Sequence, residues 1–294
     1  MQKTYAAPAS QAVGHYENFP VASWLCPARL RPPIVAIYHF ARTADDIADE
    51  GEASATHRLA DLTRFQEDLH LVASGKSPSE RWPGLFAALQ SAIAEFSLPV
   101  ALLNDLLVAF MQDVVKTRDG IGYADRTELL SYCRRSANPV GRLLLHLYGV
   151  NDAIALARSD AICTALQLVN FWQDLSRDIP RGRYYLPAQD CALHAVNNQD
   201  LLDLRQTAAT RSAIASMVRW SRQLMAEGAP LVHQVPGRAG WELRLVVQGG
   251  LRILDKIEQL HHNTLNKRPQ ISAADLPIMA WRAMRMPIWP DKAP

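Results

Sequence analysis

The stretch Leu166-Gln167-Leu168-Val169-Asn170-Phe171-Trp172-Gln173-Asp174-Leu175-Ser176-Arg177-Asp178 decides how the rest of the chain is read. Asp174 and Asp178 stand four apart, so on a helix they lie one turn above each other on a single face. Gln167 and Asn170 fall on the same stripe in the two preceding turns, while Leu166, Leu168 and Val169 are apolar. The spacing predicts a long core helix with one polar seam. The segment Ala41-Arg42-Thr43-Ala44-Asp45-Asp46-Ile47-Ala48-Asp49-Glu50 repeats the device, with Asp45 and Asp49 four apart after the apolar run Ile34–Phe40.

Outward from these two segments the helical period persists. Alternating β-branched runs and Asn-Gly or Asp-Gly hairpin turns are nearly absent, whereas Ala, Leu, Gln, Arg and acidic residues recur at helical spacing. The predicted fold class is all-α. Helices are expected over Pro32–Glu50, Ala53–Ser74, Pro83–Phe96, Pro99–Arg118, Arg126–Tyr148, Asp152–Arg177, Asp200–Glu227, Trp241–Leu265 and Ala273–Met284, with Pro or Gly near most junctions. Gly75–Gly84 and Gly228–Gly240 read as surface loops. Residues 1–14 read as an N-terminal tail, 15–286 as a single domain and 287–294, with three prolines, as a C-terminal tail.

Composition narrows the function. A chain of 294 residues with 49% hydrophobic content can bury a sizeable core. The balance of 31 Lys+Arg against 29 Asp+Glu gives a net charge of +2, which sets nucleic acid aside as a partner. Cys26, Cys133, Cys163 and Cys191 form no CxxC pair and are expected to pack as reduced thiols, pointing to the cytoplasm. Residues Met1 to Pro20 show no secretory pattern, and runs such as Leu143–Val150 are too short to span a bilayer. A soluble protein, or one peripheral to the membrane, is expected.

Mg²⁺ prefers hard oxygen ligands and is commonly held by a few carboxylates together with substrate phosphate oxygens. Two one-turn aspartate pairs suit that chemistry: they can hold Mg²⁺ against the diphosphate of a long apolar substrate, and the metal stabilises charge on the leaving group. The plain alternative makes both pairs solvated faces, salt-bridged to Arg42, Arg177 or Arg181. Apolar runs before each pair argue for the metal reading.

Taken together these residues resemble the squalene/phytoene synthase family, from about His15 to Pro269. The most specific part is Leu166 to Pro187: Gln167-Leu168-Val169-Asn170, then Asp174 and Asp178, then Arg183-Tyr184-Tyr185-Leu186-Pro187. Tyr38, Arg42, Asp45 and Asp49 match the first motif, and Tyr132-Cys133 with Val140-Gly141 match a cavity-lining segment. The resemblance implies a helical isoprenoid-synthase fold with a central apolar cavity and a Mg²⁺ cluster held by Asp45, Asp49, Asn170, Asp174 and Asp178. It implies substrate contacts from His15, Tyr38, Arg42, Gln167 and Arg183. Tyr132 and Tyr185 are the implied catalytic tyrosines.

Departures from the family pattern bear on the reaction. Condensing members usually carry Ser-Lys-Ser-Phe after the N-terminal His; here His15 is followed by Tyr16-Glu17-Asn18-Phe19. Glu17 would repel a second diphosphate, at a cost that grows as the dielectric falls. Gln173 stands where many relatives have Arg, and Gly249-Gly250 where many carry an aromatic. In these respects the chain resembles the bacterial hydroxysqualene synthase branch, which implies conversion of presqualene diphosphate and water to hydroxysqualene and diphosphate within the squalene route to hopanoids. Such a lyase would receive its substrate from other squalene-pathway enzymes. A condensing squalene or phytoene synthase, and a non-catalytic scaffold of the same fold, are the competing readings.

Single residues complete the expectations. Pro139 removes a donor within Arg126–Tyr148, freeing the carbonyl of Arg135, and Asn138 beside it is a candidate for orienting the attacking water, with a local kink the alternative. Arg134 and Arg135 are consecutive, so at most one faces a site. Arg183 follows the second aspartate pair closely enough to close over diphosphate. Trp24, Trp172 and Trp241 are expected to bury apolar area, and His261-His262 to be structural or on the surface of a late helix. Met279 to Met286 reads as an amphipathic segment able to meet a membrane, or as a helix docked on the core.

Overall fold

The computed structural model describes residues 26–286. His15, Tyr16 to Phe19, Trp24 and the 287–294 tail lie outside the described residues. Twelve α-helices run in order: α1 (Arg31–Asp49), α2 (Ala55–Ala73), α3 (Pro83–Phe96), α4 (Val100–Asp119), α5 (Arg126–Ser136), α6 (Asn138–Leu147), α7 (Ala153–Asp178), α8 (Ala188–Leu193), α9 (Asn198–Leu202), α10 (Ala208–Gly228), α11 (Gly237–Gln259) and α12 (Leu276–Met284). Short 3-10 turns join several of them, and no strand occurs among the described residues. The all-α expectation therefore holds. Packing separates the chain into two compact units, Met1–Val115 and Lys116–Pro294, the division falling inside α4.

In the first unit, α1, α2 and α3 pack on one another. Phe40, Phe65 and Phe86, one from each helix and all fully buried, form its aromatic knot; Phe65 lies 5.1 Å from Phe40 and 4.8 Å from Phe86 between ring centroids. Buried Asp68 accepts from the Ser79 amide at 2.7 Å and hydroxyl at 2.6 Å, tying the loop after α2 to the helix.

In the second unit, α7 is the axis, packed by α10, α6, α11 and α5. Trp172 is fully buried and donates its indole N–H to Ser221 Oγ at 2.8 Å, so this ring is core. Two glycines allow the close approach. A Cβ at Gly228 would stand 2.6 Å from the Arg158 carbonyl oxygen, and one at Gly250 would stand 2.9 Å from Leu166 and 2.8 Å from Met225. The glycine at 250 thus matches the space between α11 and α7, which an aromatic could enter only by displacing both neighbours. None of the four cysteines is in a disulfide; burial pushes the Cys163 thiol up to about 12 and the Cys191 thiol up to about 11, so both pack protonated.

Several boundaries differ from expectation, each for a local reason. Arg126–Tyr148 is two helices, broken at Ala137 (φ −121°, ψ −48°), two residues before Pro139. Asp200–Glu227 is also two, α9 and α10, because Leu204 adopts φ +53° and Thr207 starts α10 with a capping box. Helix α11 starts earlier than expected and stops at Gln259; His261 and His262 sit beyond it in left-handed turn conformations (φ +50° and +61°) rather than on a helix. Gly228–Gly240 is no open loop: it contains the 3-10 turn Ala229–His233 and the start of α11. Trp241 is exposed and stacks under the Arg244 guanidinium at 4.5 Å, contrary to the burial expected of it.

Candidate active site

Along α7 the polar seam is visible residue by residue. Of the twelve positions Thr164 to Leu175, nine are buried, and the three that are not are Gln167, Asn170 and Asp174. Asp178, one turn on, is also half-buried and is the last residue of α7. On α1, Tyr38, Arg42, Asp45 and Asp49 are all half-buried and follow the same rise, with Ala36, Ile37, Phe40, Ala44 and Ala48 on the buried side. Neither carboxylate pair is enclosed in a core, which corrects the expectation of core-like surroundings: both lie along the margin of one.

The pair on α1 also occupies an electrostatically adverse position. A helix C-terminus carries the negative end of the backbone dipole and ordinarily attracts bases. The last turn of α1 has no base; it ends in Asp46 and Asp49, with Glu50 as its C-cap. Burial raises the Asp46 carboxyl above its usual range; Arg42 opposes this, and Glu50 and Asp49 add to it. Arg42 is shared between Asp46 at 2.9 Å and Asp45 at 3.3 Å, so for this segment the salt-bridge reading is partly met, yet one guanidinium serves a run of acids.

On α7 the partner is one that sequence reasoning missed. Arg268 grips Asp174 through both arms of its guanidinium, Nε to one carboxylate oxygen and Nη2 to the other at 3.1 Å, where the salt-bridge alternative had offered Arg177 or Arg181. Ninety-four residues separate the two, and no local pattern marks Arg268. Next to it, Gln173 donates from Nε2 to the Pro269 carbonyl at 2.7 Å, so the residue that replaces an arginine serves to hold the Arg268 segment on α7. Arg268→Gln is expected to lower stability by about 1–2 kcal/mol through loss of this fork; a denaturation midpoint equal to that of the unaltered protein would show the grip to be idle.

Four aromatic residues of the second unit, with Phe171 of α7 next to Asn170 among them, form a cluster. Tyr185 stacks on Phe171, with 3.7 Å between centroids and 8° between planes, while Tyr132 lies 6.2 Å from Phe171 and Tyr123 6.0 Å from Tyr185. All four are buried. Lys116 stands 4.4 Å over the Tyr123 ring. Asn138 is buried at the start of α6 and its Oδ1 accepts from Thr164 Oγ1 on α7 at 2.9 Å, which fixes the side chain. Arg183 follows α7 by a 3-10 turn, its amide bonded to the Asp178 carbonyl at 3.0 Å. Of the consecutive arginines, Arg134 is exposed and Arg135 half-buried.

The structure brings together Gln167, Asn170, Asp174 and Asp178 on one stripe, Tyr132 and Tyr185 in one aromatic cluster, and Tyr38, Arg42, Asp45 and Asp49 on another stripe. Among the described residues no group of three or more His, Cys, Asp or Glu side chains converges as a ready metal cage. The donor set, carboxylates in pairs plus Asn170, nevertheless fits Mg²⁺ of the kind shared with phosphate oxygens of a substrate.

Comparison with known proteins places this arrangement. Residues 12–275 match the family model for squalene/phytoene synthase. The hydroxysqualene synthase of Rhodopseudomonas palustris is 32% identical over 91% of this chain and 88% of its own length. That of Zymomonas mobilis is 33% identical over 89% of this chain and 88% of its own. The crystal structure of squalene synthase HpnC from Alicyclobacillus acidocaldarius superposes with a TM-score of 0.76 at 36% identity, covering 85% of this chain and 90% of that one. A dehydrosqualene synthase, at 21% identity and a TM-score of 0.77, shares the fold. The chain belongs to the squalene/phytoene synthase family and has its all-helical isoprenoid-synthase fold.

Proposed function

We propose that this protein is a Mg²⁺-dependent enzyme that converts presqualene diphosphate and water into hydroxysqualene and diphosphate. The observation that carries a cation-binding reading is that α1 ends in the acidic residues Asp45, Asp46, Asp49 and Glu50 with no base in its last turn, against the backbone dipole, where a bound cation would relieve the repulsion. Likeness to the hydroxysqualene synthases, together with Glu17 in place of a basic residue, supports this reaction over condensation of two diphosphates.

In this reading Asp45 and Asp49 of the first unit, and Asn170, Asp174 and Asp178 of the second, are the metal-binding residues. Mg²⁺, when bound, supplies Lewis-acid stabilisation of the departing diphosphate. Arg42 and Arg183 bind diphosphate oxygens, with His15, Tyr38 and Gln167 completing the substrate contacts. The clustered rings of Tyr132, Phe171 and Tyr185 present π-density suited to a carbocation. Asn138, fixed by Thr164, orients the water that adds to the cation and releases a proton.

The test is incubation with Mg²⁺ and either presqualene diphosphate or farnesyl diphosphate in ¹⁸O-labelled water, followed by mass analysis of the extracted lipid. Label is expected in an alcohol formed only from presqualene diphosphate. Consumption of farnesyl diphosphate to a thirty-carbon hydrocarbon would make the protein a condensing synthase, and no product from either would support a scaffold.

A further inference from the structure

Helix α12 carries a surface that the catalytic reading does not use. It buries Met279 and Ala283, with Met286 just beyond them, and packs against α11. Leu276, Ala280 and Met284 form one exposed row at i, i+4 and i+8, and Pro277, Trp281 and Arg285 form the next. Leu276 is 56% exposed, Trp281 52% and Met284 58%. On a helix that merely docks on a core, rows away from the buried stripe are polar. Here Arg285 is the one polar member of the two rows, and no acidic residue lies between Leu276 and Met286.

The charges on this face are cationic. The Arg285 guanidinium lies 3.8 Å from the centre of the Trp281 ring, and no carboxylate among the described residues pairs with it. Arg282 reaches Asp255 at 2.5 Å. Beside the helix, α10, α11 and α12 leave a cavity of about 360 Å³ lined by Met225, Ala229, Leu251 and Trp281, with Arg222 and Arg285 also on its wall.

We propose that this face of α12 lies in the interface of an anionic lipid bilayer, with Leu276, Trp281 and Met284 among the upper acyl chains and Arg285 and Arg282 at the phosphates. Charge complementarity selects lipid over a second copy of the chain. In a two-fold pair the patch meets itself, and since residues 276–286 hold no acid, it would offer Arg285 no acid in return. A tryptophan beside arginines at the edge of an apolar row is the composition that settles at headgroup depth. Nine residues of helix give a contact about 13 Å long, so the binding is reversible and depends on its charges.

The experiment is co-sedimentation of the full chain with phosphatidylcholine vesicles, with and without phosphatidylglycerol. The protein is expected to sediment with the anionic vesicles and to be released by salt. Arg282→Gln with Arg285→Gln should weaken partitioning about fivefold per arginine, and Trp281→Ser with Met284→Ser should abolish it at unchanged melting temperature. If that double variant melts early, Leu276→Gln on the same row is expected to give the weakened binding instead. Absence of binding to anionic vesicles, or binding that all these variants retain, overturns the proposal. So does a dimer in sedimentation equilibrium that Trp281→Ser with Met284→Ser dissociates, since a second copy would then cover the face.

Discussion

Asp49→Asn is expected to lower turnover of presqualene diphosphate by more than about a hundredfold while changing stability by less than about 0.5 kcal/mol. The first effect follows from the proposed metal role, since even residues that only support a metal ligand are worth about 10- to 100-fold. The second follows from position, because Asp49 is half-buried at the last residue of α1, on the margin of a core and not inside it. Steady-state kinetics and a denaturant melt on the same preparation check both effects. Lost turnover with lost stability would make Asp49 structural, and retained turnover would remove it from the metal site.

The second large effect concerns stability. Asp275 is 2% exposed and accepts from Arg252 Nη2 at 2.7 Å, Lys256 Nζ at 2.5 Å, and the amide and hydroxyl of Ser272 at 2.7 and 2.8 Å. Asp275→Asn should destabilise by about 3 kcal/mol, because it leaves two cations of α11 facing an amide in a nearly closed site. Burial alone would raise the carboxyl, but the hydrogen bonds from Lys256, Ser272 and Arg252 outweigh it and hold the group well below its ordinary 3.8. A depressed folded-state value gives stability that is complete above the unfolded value and lost as pH falls below it. The unaltered protein should therefore lose this contribution below about pH 4, and the variant should lack that part of the slope. Identical acid melts for the two proteins would refute the account.

How much of this was legible in sequence depended on how local the cause was. The seam on α7 and its counterpart on α1 were readable because helical spacing alone puts Gln167, Asn170, Asp174 and Asp178, or Asp45 and Asp49, on one side. Helix α3 was readable to its ends because Pro83 opens it. The break at Ala137 was foreshadowed by Pro139, but the turn at Leu204 was not, since a left-handed leucine has no propensity to announce it. Arg268 was invisible for a different reason: its partner is fixed by tertiary packing ninety-four residues away, and Arg177 and Arg181, the partners of the salt-bridge alternative, are nearer only along the chain. The solvated margin of the aspartates was likewise a matter of neighbouring helices, not of the apolar runs that precede them.

The seam on α7 implies that two different filters act along one helix. At the buried apolar positions from Ala165 to Leu175 a replacement is judged by volume, and its cost appears as less folded protein. At Gln167, Asn170 and Asp174 it is judged by which atoms donate and accept, and, Asp174 with its grip by Arg268 apart, the protein still accumulates while its chemistry changes. With the substrate contact proposed for Gln167, new substrate preferences can arise at that position without first eroding the fold that carries them.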